Sequence, residues 1–263
     1  MDLGLKGKVA IVAAASKGLG KASALALARE GVNLTICSRN ESELLDAARE
    51  IGSSTGVEVL ALPADVSKPA DVEKLVDQTI ARFGRLDILV SNAGGPPAGM
   101  FESLGDEEWA KALELNLLST VRLVRAALPH LKKQSSGRII TITSYAVKQP
   151  ITELILSNTA RAGVTGLTKS LSNEFGKYNI TVNTVLPGLH TTQRMDYLHG
   201  TRAKAQGRSV EDVRADEAKQ IPLGRLGSPA DFGSVVAFIA SEQANYITGQ
   251  AIVVDGGAYK GIM

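Results

Sequence analysis

Val9-Ala-Ile-Val-Ala-Ala-Ala-Ser-Lys-Gly-Leu-Gly20 passes from an apolar run into a small turn, and continues as Lys21-Ala-Ser-Ala-Leu-Ala-Leu-Ala-Arg29, which has helical spacing. Because its first part is apolar on both faces, it reads as a strand covered on either side, as in a buried parallel sheet. The unit recurs. Short β-branched runs at residues 9–12, 33–37, 57–61, 86–91, 138–143, 181–186 and 251–255 alternate with helical patterns at 18–30, 41–51, 69–83, 106–131, 152–177 and 229–240. That alternation predicts an α/β fold, a doubly wound parallel sheet of about seven strands with helices on both faces. No Pro/Gly/Ser linker or solenoid-period repeat divides the chain, so residues 1–263 are expected to form a single domain. Residues 189–226 break the rhythm with polar and charged sequence. A connection of that length reads as a lid or binding segment, or as a surface excursion of short helices, and the two are compatible.

At 263 residues, 44% hydrophobic and 21% charged, the chain has the material for a full core. Its net charge is +2 and its 29 Lys and Arg are scattered, which argues against a nucleic-acid or membrane surface. Met1-Asp-Leu-Gly-Leu-Lys has no apolar signal core, and no apolar stretch reaches about eighteen residues, so a cytoplasmic location is expected. Cys37 is the only cysteine, which excludes an intrachain disulfide and a cysteine-based zinc site. In its apolar strand it reads as a small buried hydrophobe, and no metal is expected.

Gly18 and Gly20 remove side chains where a backbone could approach a pyrophosphate set against the N-terminus of the next helix. Two such glycines alone equally suit a tight turn; the strand-turn-helix context favours the nucleotide. Ala14 is small enough for this role but strained if its position demands positive φ. The second strand ends Cys37-Ser-Arg39, and Lys17 sits in the glycine turn. A guanidinium fork and an ammonium, with no acid on the strand, suit a ribose 2′-phosphate.

Ser144 follows the fifth strand, Ser157-Asn-Thr-Ala-Arg161 opens a helical run continuing Ala-Gly-Val-Thr-Gly-Leu-Thr-Lys-Ser170, and Thr181-Val-Asn-Thr-Val-Leu-Pro-Gly188 follows. From about Gly7 to Gly257 the chain resembles the short-chain dehydrogenase/reductase family, most closely its 3-oxoacyl-acyl-carrier-protein reductase-like members. The resemblance implies a Rossmann-type sheet, NADP(H) preferred over NAD(H), a small carbonyl or alcohol substrate, and a homodimer or homotetramer. It assigns cofactor contacts to Ala14, Ser16, Lys17, Gly18, Leu19 and Gly20 in the turn, and to Ser38 and Arg39 after the second strand. Asp65 and Val66 fall beside the adenine, and Asn92, Ala93 and Gly94 line the cleft. Pro187, Gly188, His190 and Thr192 fall at the nicotinamide end, with His190 given no proton role.

The family's reaction passes a hydride between nicotinamide and a carbonyl carbon while a Tyr moves the proton and a Lys lowers the phenol's pKa. Ser144 and Asn116 match the family's Ser and Asn, but Ser157 and Arg161 stand where Tyr and Lys are expected. Four residues apart on a helix, they share one face. Arg161 could keep the ribose contact and the charge, whereas a serine hydroxyl is a far weaker acid than a phenol of pKa about 10. Tyr145 and Lys148 offer a relocated pair on the loop after Ser144, or else form loop wall and solvated charge; Glu153 is a further acid. The residues leave three readings open: a reductase with a nonstandard proton donor, a catalytically degenerate cofactor-binding sensor or partner, and a scaffold subunit.

Overall fold

The computed structural model describes residues 2–134 and 136–262. Among them seven strands form one all-parallel sheet: β1 Val9–Ala13, β2 Asn33–Ser38, β3 Val59–Pro63, β4 Ile88–Ser91, β5 Gly137–Ile142, β6 Ile180–Pro187 and β7 Ala251–Val254. They lie in the order β3-β2-β1-β4-β5-β6-β7. Helices α1 Gly18–Arg29, α2 Glu41–Thr55, α3 Pro69–Phe83, α4 Asp106–Leu113, α5 Ser119–Leu131, α6 Ile155–Phe175, α7 Gln193–Gln206, α8 Val210–Lys219 and α9 Pro229–Ala240 connect them. The strands are β-branched because both of their faces are covered. Val12 and Val90, paired across β1 and β4, pack with Leu27, Leu44 and Phe232 on one side of the sheet. Their neighbours Ile11 and Leu89 point the other way, into a cluster with Leu75, Leu123 and Phe175. This period-two alternation builds two cores from one run of apolar residues, and each fully buried Leu, Ile or Phe stabilises the fold by about 1.5–3 kcal/mol.

The fold class expected from the sequence is the one observed, and the departures are local. Helix α2 runs four residues past the expected stop at Ile51 and ends where Gly56 turns left-handed at φ 75; the hydroxyls of Ser53, Ser54 and Thr55 donate back to carbonyls of the preceding turn. The helix expected across 106–131 contains a π-turn at Glu114–Leu118 that carries Asn116. Helix α6 starts at Ile155 rather than 152, since Glu153 sits in the left-handed region at φ 67 and ends the loop before it. The Glu153 carbonyl accepts from Gly99 N at 2.7 Å, which ties this loop to the segment after β4. The 189–226 excursion folds as α7 and α8, capped by the hydroxyls of Thr192 and Ser209. No helix of the described residues is long and apolar enough to cross a membrane.

Candidate active site

Strand order reverses between β1 and β4, and a cleft of ≈ 640 Å³ opens beyond their carboxyl ends. Its floor is the turn after β1, formed by Ala14, Ser16, Lys17, Gly18, Leu19 and Gly20. Ala14 adopts φ 50, so the strain expected for an alanine here is present. A Cβ at Gly20 would stand 2.2 Å from the Ala14 carbonyl oxygen, so no other residue fits that point of the turn. Asn92 Nδ2 donates to the carbonyls of Ala13 and Ala14 at 3.3 and 3.4 Å, tying the end of β4 to the turn.

Ser38 and Arg39 after β2, and Asp65 and Val66 after β3, line the same end of the cleft. Burial disfavours the Asp65 charge, yet hydrogen bonds from the Ser67 hydroxyl and amide, with Arg39 and Lys68 nearby, hold its carboxyl below the usual range. The strand end is free of acids, but the cleft is not. Glu43 also lines it and is paired with Lys17 at 3.1 Å. It is placed there by the start of α2, where Asn40 Oδ1 accepts from the Glu43 amide. An acid in the first turn of a helix lies outside any pattern carried by the strands, so the strand residues alone do not disclose it.

At the other end, Asn92, Ala93 and Gly94 after β4, Ser144 after β5, Arg161 on α6, and Pro187, Gly188, His190 and Thr192 after β6 line the cleft. Gly188 passes so close to Asp255 that a Cβ there would lie 2.4 Å from the Asp255 Cβ. Ser144 Oγ accepts from Ala146 N at 3.1 Å, which leaves its hydroxyl proton to be donated. His190 is buried; its Nδ1 lies 3.2 Å from the Gly188 carbonyl, its ring meets Phe232 edge-on, and burial lowers its pKa. It braces the loop.

Arg161 is held by four hydrogen bonds. Its Nη1 donates to the carbonyls of Ile142 and Thr143 at 3.2 and 2.9 Å, its Nη2 to Ala93 at 3.3 Å, and its Nε to Ser157 Oγ at 3.2 Å. Four of a guanidinium's five N–H groups are thereby engaged, and Arg161 still lines the cleft. The side chain is buried with no carboxylate partner among the described residues; burial, then the Arg194 charge, pull its pKa down to about 10. Ser157 itself does not line the cleft. Asn116 lies one residue behind the lining Leu115; its Nδ2 donates to Gly94 O at 2.9 Å, while among the described residues its buried Oδ1 has no partner, and neither has the Thr143 hydroxyl on the cleft wall.

The relocated pair is not assembled. Tyr145 is absent from the cleft lining, and burial, then the carboxylates of Glu217 and Asp255, push its phenol above the ordinary value, making it a weaker acid. Lys148 is exposed, its ammonium 5.6 Å from the Tyr259 ring centroid. The 189–226 segment, read from the sequence as a lid or binding segment, reaches the cleft through α7, and the side chains it contributes were not foreseen. Gln193, Arg194 and Met195 line the cleft, and Arg194 Nη2 reaches across to the Pro96 carbonyl at 3.4 Å.

A family model described as enoyl-(acyl carrier protein) reductase matches residues 13–259. The chain belongs to the short-chain dehydrogenase/reductase family. Within that family it is 35% identical to the 3-oxoacyl-[acyl-carrier-protein] reductase FabG of Staphylococcus aureus over 254 residues, covering 96% of this chain and 98% of the relative. Against the FabG of Salmonella typhimurium the figures are 36% over 257 residues, 98% and 99%. L-sorbose reductase from Gluconobacter frateurii, solved with NADPH and L-sorbose, superposes with a TM-score of 0.96 at 33% identity, with 100% of both chains covered. YwfH, an NADPH-dependent reductase involved in bacilysin biosynthesis, gives 0.92 at 30%, covering 97% of this chain and 99% of YwfH.

Proposed function

We propose that this protein is an NADP(H)-dependent oxidoreductase, working as a homodimer or homotetramer, that moves a hydride between nicotinamide and a carbonyl or alcohol carbon. The observation that carries the reading is the Ser144 hydroxyl, with one lone pair taken by Ala146 N–H and its proton free, on the wall of a cleft floored by the glycine turn. The residues suit the cofactor: Gly20 leaves no room for a Cβ, Lys17 in the glycine turn and Arg39 after β2 line the same cleft, and the Thr143 hydroxyl lacks a partner among the described residues. The relatives solved with NADPH support the choice of phosphate-bearing cofactor. When bound, the nicotinamide supplies or accepts the hydride. Ser144 donates a hydrogen bond to the substrate oxygen, and the charge of Arg161 favours the negative charge that develops there. The oxygen gains its proton through the Ser144 hydroxyl, which recovers one from water. Loss of the phenol removes a general acid that contributes about 10²–10⁴ in rate, so turnover is slow rather than absent.

The second reading, a cofactor-binding protein without turnover, is favoured by the Ser157–Arg161 contact and by the lack of a phenol among the described residues of the cleft wall. Thermal shift with NADPH and NADPH oxidation over a panel of ketones and aldehydes test both. A shift with oxidation supports the reductase; a shift without oxidation, with activity created by Ser157→Tyr/Arg161→Lys, supports the second reading. No shift at millimolar NADPH sinks both.

A further inference from the structure

We propose that the nicotinamide end of the cleft takes a carbonyl substrate that carries a compact anion, a carboxylate or phosphate, held by Arg194 beside Arg161. This rests on the oxidoreductase reading and names the substrate class for the same site.

The charge balance of the cleft is uneven along its length. Its two lining carboxylates, Glu43 and Asp65, both sit at the β2–β3 end, one paired with Lys17 and the other bonded by Ser67. At the β4–β5 end stand Arg161 and Arg194, and among the described residues no carboxylate forms an ion pair with either. Asp196, two residues beyond Arg194, is committed to Arg214 at 2.8 Å. Arg194 is the second residue of α7, where the helix already presents the positive end of its dipole. The buried guanidinium of Arg161 and the more exposed one of Arg194 line the same end of one cleft, the second of them at a helix N-terminus, and this concentration of positive charge favours an anion.

The cofactor's own diphosphate does not answer this charge. It belongs over the glycine turn after β1, where Thr192 packs 3.8 Å from the Cβ position of Gly18. Arg194 reaches beyond, to the segment after β4: its Nη2 is 3.4 Å from Pro96 O and 3.7 Å from the Cβ position of Gly95. Arg161 holds Ala93 in that same segment, and Ser144 lies on the adjacent strand end. An oxo-acid or phosphorylated ketone would set its carbonyl at Ser144 and its anion on the planar fork of Arg194, which matches both groups bidentately. A neutral ketone would leave the Arg194 charge unanswered.

The test is binding to the NADP⁺-saturated full chain, which has no hydride to give, so that affinity is read without turnover. Calorimetric titrations would compare 2-oxobutanoate with its methyl ester, dihydroxyacetone phosphate with dihydroxyacetone, and the bare anions oxalate and inorganic phosphate. The charged member of each pair should bind about ten- to hundredfold tighter. Arg194→Gln should erase that difference, Arg194→Lys should restore part of it, and the NADP⁺ affinity of both should stay within about twofold. Which anion binds tighter separates carboxylate from phosphate. Equal affinity within the pairs, no anion binding at tens of millimolar, or a preference that survives Arg194→Gln would overturn the proposal while leaving the oxidoreductase reading intact. Failure of NADP⁺ itself to bind would instead remove the reading beneath it.

Discussion

Arg161 Nε donates to Ser157 Oγ at 3.2 Å, and of these two bonded residues only Arg161 lines the cleft. The guanidinium ties the ends of β4 and β5 to α6 through three carbonyls, and this makes its first duty one of architecture.

Arg161→Met would remove the charge but leave those carbonyls and the Ser157 hydroxyl without a donor. The expected loss is about 2–4 kcal/mol of stability, seen as a lower urea midpoint at unchanged slope. A midpoint equal to wild type would show that the four contacts contribute nothing.

Ser144 and Tyr145 are neighbours in sequence with opposite expectations. Ser144→Ala should lower kcat about 10²-fold on any ketone the protein reduces, with the NADPH thermal shift retained. Tyr145→Phe should leave kcat within about twofold, since its ring is not on the cleft wall. A large loss in Tyr145→Phe would restore it as the proton donor.

Burial holds the His190 pKa below its ordinary value, so between the folded and unfolded pKa values the unfolded chain binds the extra proton. Its contribution is therefore fully present above about pH 6.5 and declines as the pH falls toward the folded pKa. Melting temperature should drop on acidification through that window, and His190→Gln, which does not ionise, should flatten part of the slope. An unchanged slope would show that other groups set the acid limit.

Glu43 pairs with Lys17 at the β2–β3 end of the cleft, where the proposed reading sets the 2′-phosphate. Glu43→Gln should tighten NADPH about two- to fivefold and leave NADH unmoved, whereas Arg39→Asp should shift preference toward NADH. Equal effects of Glu43→Gln on both cofactors would show that Lys17 does not meet the 2′-phosphate.

Ala14 at φ 50 is a local misfit. Ala14→Gly should raise stability by about 0.5–1 kcal/mol in urea denaturation, because the relief of left-handed strain exceeds the added chain entropy. A destabilised variant would mean that the alanine methyl packs better than its backbone angle suggests.

The sheet was legible because burial on both faces writes itself as unbroken apolar runs, and every residue assigned to the cofactor from the glycine turn to Thr192 lines the one cleft. Those residues sit at strand ends, where backbone order and side-chain position coincide. Arg194, Glu43 and the fate of Tyr145 were not legible for a common reason. Each depends on how a loop or a helix start turns a flexible side chain, and neither period nor spacing records that direction. Arg161 differs: its helix face follows from spacing, but carbonyls from β4 and β5, distant in sequence, claim its donors.

On the proposed reading, in which Lys17 meets the 2′-phosphate, the Lys17–Glu43 contact means that the nucleotide arrives at a seat already taken. Its docking is an exchange of partners, one acid displaced by another, with little change in the number of ions the surface holds. Affinity measured across a salt series should thus fall less steeply than the two cations alone would suggest, and the ejected Glu43 becomes a free carboxylate at the rim only while the nucleotide is in place.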